Sequence, residues 1–191
     1  MDSKNDLKTQ RVKSYFLEAA KQIILAEGVE GVSARKIAKI AGYSYATSYN
    51  YFKDINELLG ETKALMVTDV AKYMQEAMCI PIVSIEDIKM LFRAYVQYYL
   101  SHPHIFRFFY FYRLSDDEVQ KERYEFSDSW AWTLQFLVEE GRLKETEVEN
   151  CAKSLIYSIH GLLALFFSGN GVSEKMMFAD LDKIIDYILR R

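Results

Sequence analysis

Ser33 to Leu59 reads "SARKIAKIAGYSYATSYNYFKDINELL", and its middle, Gly42 to Phe52, places four tyrosines, two serines, a threonine and an asparagine in eleven positions without one charge. That run is too polar for a core helix and too aromatic for an ordinary solvated loop. Its punctuation is helical. Ser33 is a good N-cap for a helix ending near Ala41 and Gly42, and Ser44 can cap a second short helix through Tyr51. Two short helices joined by a glycine turn and preceded by a longer helix make a helix-turn-helix. The inward positions are Ile37, Ala38, Ile40 and Ala41 on the first helix and Ser48 and Phe52 on the second, with Tyr43 in the core at the turn. Tyr45, Thr47, Tyr49, Asn50 and Tyr51 are left projecting outward. Such side chains suit a groove with phosphate walls and a floor of base edges. Asparagine pairs bidentately with adenine, a threonine methyl meets the thymine methyl, and tyrosine hydroxyls reach phosphate oxygens.

Outward from this stretch the helical signals continue. Upstream, Phe16, Ala19, Ala20, Ile23 and Ile24 recur at helical spacing from Leu7 to Glu27, and Gly28 offers a left-handed stop. Downstream, Asp54 with Glu57 starts a long helix reaching about Met78, and Pro81 closes it. Ser84 opens the next helix, to Leu100. Pro103 fits the first position of another, behind Ser101 or His102, and "HIFRFFYFYR" then reads as a buried helix. Ser115 with Glu118 caps a helix through Glu140, Thr146 with Glu149 caps one to Ser168, and Ser173 opens the last, to Arg191. The expectation is an all-α fold of about nine helices with no strand. A three-helix head occupies residues 1–54 and a helical-bundle body residues 55–191.

Composition agrees with a helical globular chain: half the residues are apolar, against only two prolines and eight glycines. The N-terminus has no signal-peptide pattern, and no uncharged stretch approaches the ~20 apolar residues of a membrane span. Cys79 and Cys151 lack a CxxC or histidine partner and read as small hydrophobes in a reducing cytoplasm. The net charge of −3 alone argues against nucleic acid, yet residues 1–55 carry +3 and residues 56–191 carry −6. A basic head on an acidic body fits a protein whose head alone meets phosphate.

Ser33 to Leu59 also closely resembles the signature of the TetR family of bacterial transcription regulators: a small polar cap, Arg, Ile-Ala, Ala-Gly, Ser, Thr, Tyr, a polar residue, Phe, then a Leu-Leu helix. With the preceding helix and "AEGVEGVS" the match covers about 50 residues without a gap. The resemblance implies a three-helix DNA-binding head, a helical body with a small-molecule pocket, and a homodimer through the last two helices. It implies that Arg35 reaches a base or phosphate, and that Tyr45, Thr47, Asn50 and Tyr51 face the groove. Ser33, Ser44, Tyr49 and Lys53 match phosphate contacts. Two positions depart from the pattern. Ile55 stands where the family usually has a phosphate-binding lysine, and Ser48 replaces an apolar core residue, which implies a softer head.

In the body, polar groups set among many aromatics are the informative ones, because a buried polar group needs a partner. Arg93, His102, His104, Arg107, Arg113 and His160 are such groups. In the family reading some line the effector cavity, and Arg93, Tyr95, Trp130 and His160 are the candidates for anchoring an apolar or aromatic effector. His102 and His104, two apart, are poorly spaced for one metal on a helix, so no metal and no cofactor is expected. No nucleophile–base pair, phosphate loop, HExxH or GxSxG occurs, so no catalytic residue is assigned. The sequence therefore reads as a cytoplasmic, ligand-responsive regulator, most simply a repressor, bound as a homodimer to a pseudo-palindromic DNA operator. The alternatives are a helix-turn-helix architectural or division factor without a ligand, and a helical enzyme with an aromatic pocket.

Overall fold

Helix boundaries in the head follow its capping residues. The computed structural model describes residues 2–77, 81–114 and 128–190. In it α1 spans Asp2–Glu27, a 3₁₀ turn spans Val29–Gly31, and α2 (Ala34–Ala41) and α3 (Tyr45–Ser48) follow. The Ser33 Oγ accepts from the Lys36 N–H at 3.3 Å, and Gly42, at φ 78° and ψ 24°, supplies the left-handed end of α2. Then come α4 (Ile55–Ala77), α5 (Ile85–Ser101) and α6 (Pro103–Tyr110). Next are α7 (Asp128–Ala131), a 3₁₀ turn (Trp132–Leu134), α8 (Gln135–Glu139), α9 (Glu145–Phe167) and α10 (Glu174–Leu189). Taking the run from α7 to α8 as one helix interrupted by its 3₁₀ turn, the described residues hold nine helices and no strand. The expected all-α class is the observed one.

Several expected boundaries move, each for a local reason. Gly28 has φ 81° but ψ 173°, so it does not continue into a left-handed turn; it swings the chain into the 3₁₀ turn. A Cβ there would lie 2.7 Å from Glu30 Oε2 and 3.0 Å from His104 Nδ1. At α4 the expected start holds: the Asp54 Oδ1 accepts from the Asn56 and Glu57 N–H groups, at 2.8 and 3.0 Å, while the Glu57 carboxylate reaches back to the Lys53 N–H. Helix α9 does not use the Thr146–Glu149 box. The Arg142 and Leu143 N–H groups both return to the Leu137 carbonyl, at 2.9 and 3.1 Å. The chain is thus folded back early enough for the helix to start at Glu145, with the Glu147 carboxylate accepting from the Lys144 N–H at 3.2 Å. The Ser115–Glu118 box, Cys79 and Met78 lie outside the described residues.

The chain divides into two compact units, residues 1–72 with 101–123 and residues 73–100 with 124–191. This division follows packing and does not fall at the boundary after residue 54 that the sequence suggests. In the first unit the core is Val12, Phe16, Ala19, Ala20 and Ile23 of α1, Ile37 and Ala38 of α2, with Phe52 and Leu58. Ile40, expected inside, is 44% exposed. At 100° per residue, Ile37, Ala38 and Ala41 define the buried face of α2, and Ile40 falls on its flank. Tyr51, expected outside, packs on this core with its ring 6.3 Å from Phe16, because α3 ends at Ser48 and the following turn carries Tyr51 inward. Lys13 and Lys21 on α1 bind Glu61 and Asp69 on α4 at 2.5 and 2.6 Å. Both cations therefore tie α1 to α4.

In the second unit α5 buries Ile88, Leu91, Phe92, Tyr95, Val96 and Tyr99, α9 buries Leu155, Ile156, Ile159 and Leu163, and α10 buries Met177, Leu181 and Ile185. Among the described residues one helix, α9, is long and apolar enough by length and composition to cross a membrane, which the sequence analysis did not anticipate. It reaches that length by adding polar-flanked residues Glu145–Ser154 to the apolar run. Tyr157, Gly161 and Leu165 form an exposed stripe along α9, and Met176 and Tyr187 are exposed on α10.

Candidate nucleic-acid interface

The exposed face of the helix-turn-helix is built on two serine caps. The Ser44 Oγ accepts from the Thr47 N–H at 3.1 Å and lies 2.7 Å from Thr47 Oγ1, so the two hydroxyls hold one another at the start of α3. One turn along, Tyr45 and Tyr49 stand 42% and 52% exposed with ring centroids 5.1 Å apart and edge to face. Their hydroxyls are hydrogen-bonded to each other. That bond from Tyr45 raises the Tyr49 phenol above its ordinary range, so it stays protonated and able to donate. Asn50, next in the chain, is exposed, and Arg35, Ser33 and Lys53 are exposed on the same head.

Of the predicted positions, Ser33, Arg35, Ser44, Tyr45, Tyr49, Asn50 and Lys53 are at the surface; Thr47 is half-buried and Tyr51 is turned toward Phe16. Ser48, the departure in the core, is buried with its Oγ donating to the Tyr45 carbonyl at 2.7 Å, so its polarity is satisfied within α3. Ala46 is also exposed on α3, and sequence reasoning passed over it. Its signal was positional: it stands between two outward residues of a four-residue helix. Lys36 is ion-paired with Glu27 at 2.5 Å.

In the second unit the candidate effector residues divide. Tyr95, Trp130 and His160 come together: the Tyr95 hydroxyl is 2.8 Å from His160 Nε2 and its ring lies 5.1 Å from Trp130, which stacks on Phe92 at 4.9 Å. Burial pushes the His160 imidazolium down to about 4, so the ring is neutral at pH 7. Arg93 stands apart from them. Its Nε donates to Asp182 Oδ1 at 3.0 Å and its guanidinium lies over Phe178 at 5.5 Å, on the surface of α5 and α10. The spacing of α5 explains this, since Arg93 and Tyr95 two residues apart project to opposite sides of a helix.

The tetR family of bacterial regulatory proteins matches residues 16–62 through its N-terminal model, and the tetracyclin repressor-like C-terminal domain matches residues 88–191. The chain belongs to the TetR family. A search of curated proteins found no match. Among solved structures, the TetR chain resembles a Mesorhizobium loti protein assigned to TetR-family regulators, at TM-score 0.74 and 20% identity over 95% of this chain and 96% of that one. It resembles the Thermus thermophilus TetR-family repressor FadR in complex with lauroyl-CoA, at TM-score 0.64 and 17% identity over 93% and 91%. It also resembles RolR in complex with resorcinol, at TM-score 0.69 and 17% identity over 97% and 89%. At these identities the likeness carries the TetR fold. The protein is a TetR-family transcriptional regulator.

Proposed function

We propose that this regulator is a repressor whose head, residues 1–54, binds a pseudo-palindromic operator and whose body, residues 55–191, binds a small apolar or aromatic effector and dimerises. The observation that carries the reading is the exposed, uncharged hydrogen-bonding face of Tyr45, Tyr49 and Asn50 on a doubly capped helix-turn-helix. Asn50, Tyr45 and Thr47 address base edges, with Tyr51 at their margin; Ser33, Arg35, Ser44, Tyr49 and Lys53 address phosphates and fix the register. Tyr95, Trp130 and His160 anchor the effector, with Arg93 at the surface of the same unit. Relatives of the same fold that hold lauroyl-CoA and resorcinol support a ligand in the body. The exposed stripe of Tyr157, Gly161 and Leu165 with Met176 and Tyr187 forms the two-fold interface, because an apolar patch of this kind is improbable on a monomer. Such a dimer presents two heads to half-sites about 34–36 Å apart or a multiple of that. The protein works in the cytoplasm, needs no metal or cofactor, and catalyses no reaction.

Helix α4 is continuous across residue 72, where one compact unit gives way to the other, and its 23 residues span about 34 Å by helical rise. An effector that favours one setting of this helix changes the spacing of the two heads. It shifts the equilibrium only by its affinity difference between the two states. A coupling of ~1–3 kcal/mol lowers operator affinity about 5–150-fold, and operator DNA weakens the effector by the same factor. Titrating resorcinol-like and acyl-CoA probes with and without operator tests this. Unequal affinities related by one factor in both directions support the reading; equal affinities for every probe that binds overturn it, and an operator complex that no probe releases favours the ligand-free architectural role.

A further inference from the structure

The basic residues of the head do not share one fate. Lys13, Lys21 and Lys36 are each ion-paired. Lys8 and Arg11 are exposed on α1, and among the described residues neither has a carboxylate partner. With Tyr15 they recur at i, i+3 and i+7, one stripe of the helix. The Arg11 Nε donates to the Tyr15 hydroxyl at 3.1 Å and its guanidinium lies 5.9 Å from that ring, so the long side chain is held while both terminal NH₂ groups remain to donate. Glu18, the next carboxylate along this face, sits two turns on and lies 3.7 Å from Lys21.

The stripe is continuous with the helix-turn-helix. The Tyr15 ring is 6.2 Å from Tyr43, which also packs at 5.5 Å on Phe16 and directly precedes the Ser44 cap. The opposite flank of α1 is the one tied to α4 through Lys13 and Lys21. A positively charged edge placed there, beside an uncharged reading face, complements the sugar-phosphate strand bordering a groove, not base edges.

We infer that Lys8 and Arg11, the latter positioned by Tyr15, form a second phosphate-binding edge of the DNA interface, contributed by α1. The inference rests on the reading of the head as DNA-binding. It extends the contact surface beyond the helix-turn-helix. These contacts carry no sequence information: they add affinity for any duplex.

The test measures fluorescence anisotropy of the full-length protein on a duplex selected by the wild type from a random pool, and on a mixed-sequence duplex of equal length. Both are titrated from 50 to 200 mM salt. The double variant Lys8→Gln, Arg11→Gln is expected to reduce the slope of log K against log salt by about two and to weaken both duplexes equally, by about five- to tenfold per contact near 0.1 M salt. Arg11→Lys keeps the charge and is expected to restore most of the slope, which a purely structural role of Arg11 would not do. An unchanged slope in the double variant, with wild-type binding intact, overturns the proposal alone. A loss confined to the selected duplex also overturns it. Wild-type protein that binds neither duplex overturns both this proposal and the DNA-binding reading beneath it.

Discussion

Acidification is expected to destabilise the second unit in part through His160. Its imidazole is held neutral by burial, with the protonated form pushed from about 6.5 in the unfolded chain down to about 4 in the fold. A base whose folded pKa is depressed leaves the unfolded state binding more protons below pH 6.5, so stability is complete above that value and falls as pH drops toward 4. The two pKa values give a loss of about 2 kcal/mol at pH 5 and about 3 kcal/mol at pH 4. Both tryptophans, Trp130 and Trp132, belong to the second unit, so intrinsic fluorescence reports on it selectively. Urea unfolding is followed by that signal at pH 7, 5 and 4 for the wild type and for His160→Gln, which retains a partner for the Tyr95 hydroxyl but does not titrate. Other groups titrate in both proteins, and the difference between the two profiles isolates His160. The difference is expected to narrow in favour of the variant by about 2 kcal/mol between pH 7 and pH 5. Parallel profiles would refute the burial argument for His160.

Other perturbations separate fold from function. Phe16→Ala removes a fully buried ring that packs on Tyr43, Tyr51 and Phe52 and is expected to cost about 3–5 kcal/mol, read as lost helical circular dichroism at lower urea with little change in tryptophan fluorescence. Asn50→Ala and Tyr49→Phe are expected to leave the melting temperature unchanged while lowering operator affinity, by about 1–3 kcal/mol for a base contact; unchanged affinity at fixed salt would refute the assignment. Tyr157→Asp with Leu165→Asp places charge in the proposed two-fold interface and is expected to give monomers by sedimentation, whereas an undisturbed dimer would move the interface elsewhere. Arg93→Ala removes an exposed ion pair with Asp182 and the guanidinium's contact over Phe178, and is expected to change stability by about 1 kcal/mol or less.

The head was legible because its signals are local. Ser33, Gly42, Ser44 and Asp54 each act within four residues, and each caps or ends the helix that its type implies. The errors in the head come where periodicity is extended over too few residues. Ile40 and Tyr51 were placed by assuming full helical turns, but α2 shows only a narrow buried face and α3 is four residues long. In the body the sequence put forward Tyr95, Trp130 and His160 as candidate effector anchors, and the structure brings them together across distant segments. Arg93 was put forward with them. Only its surroundings, Asp182 and Phe178 on a helix far along the chain, reveal that its charge is satisfied at the surface. The cap of α9 was missed because three backbone groups returning to Leu137 and Lys144 are invisible to side-chain pattern.

The central claim is that the face around Tyr45, Tyr49 and Asn50 reads duplex DNA, and selection from a random duplex pool tests it most directly. The full-length protein is expected to enrich a pseudo-palindromic sequence with half-sites centred about one helical turn or a multiple apart, and Asn50→Ala is expected to lose preference at one position of each half-site. A pool that remains random after repeated rounds with folded wild-type protein, or an Asn50→Ala preference identical to that of the wild type, would contradict it.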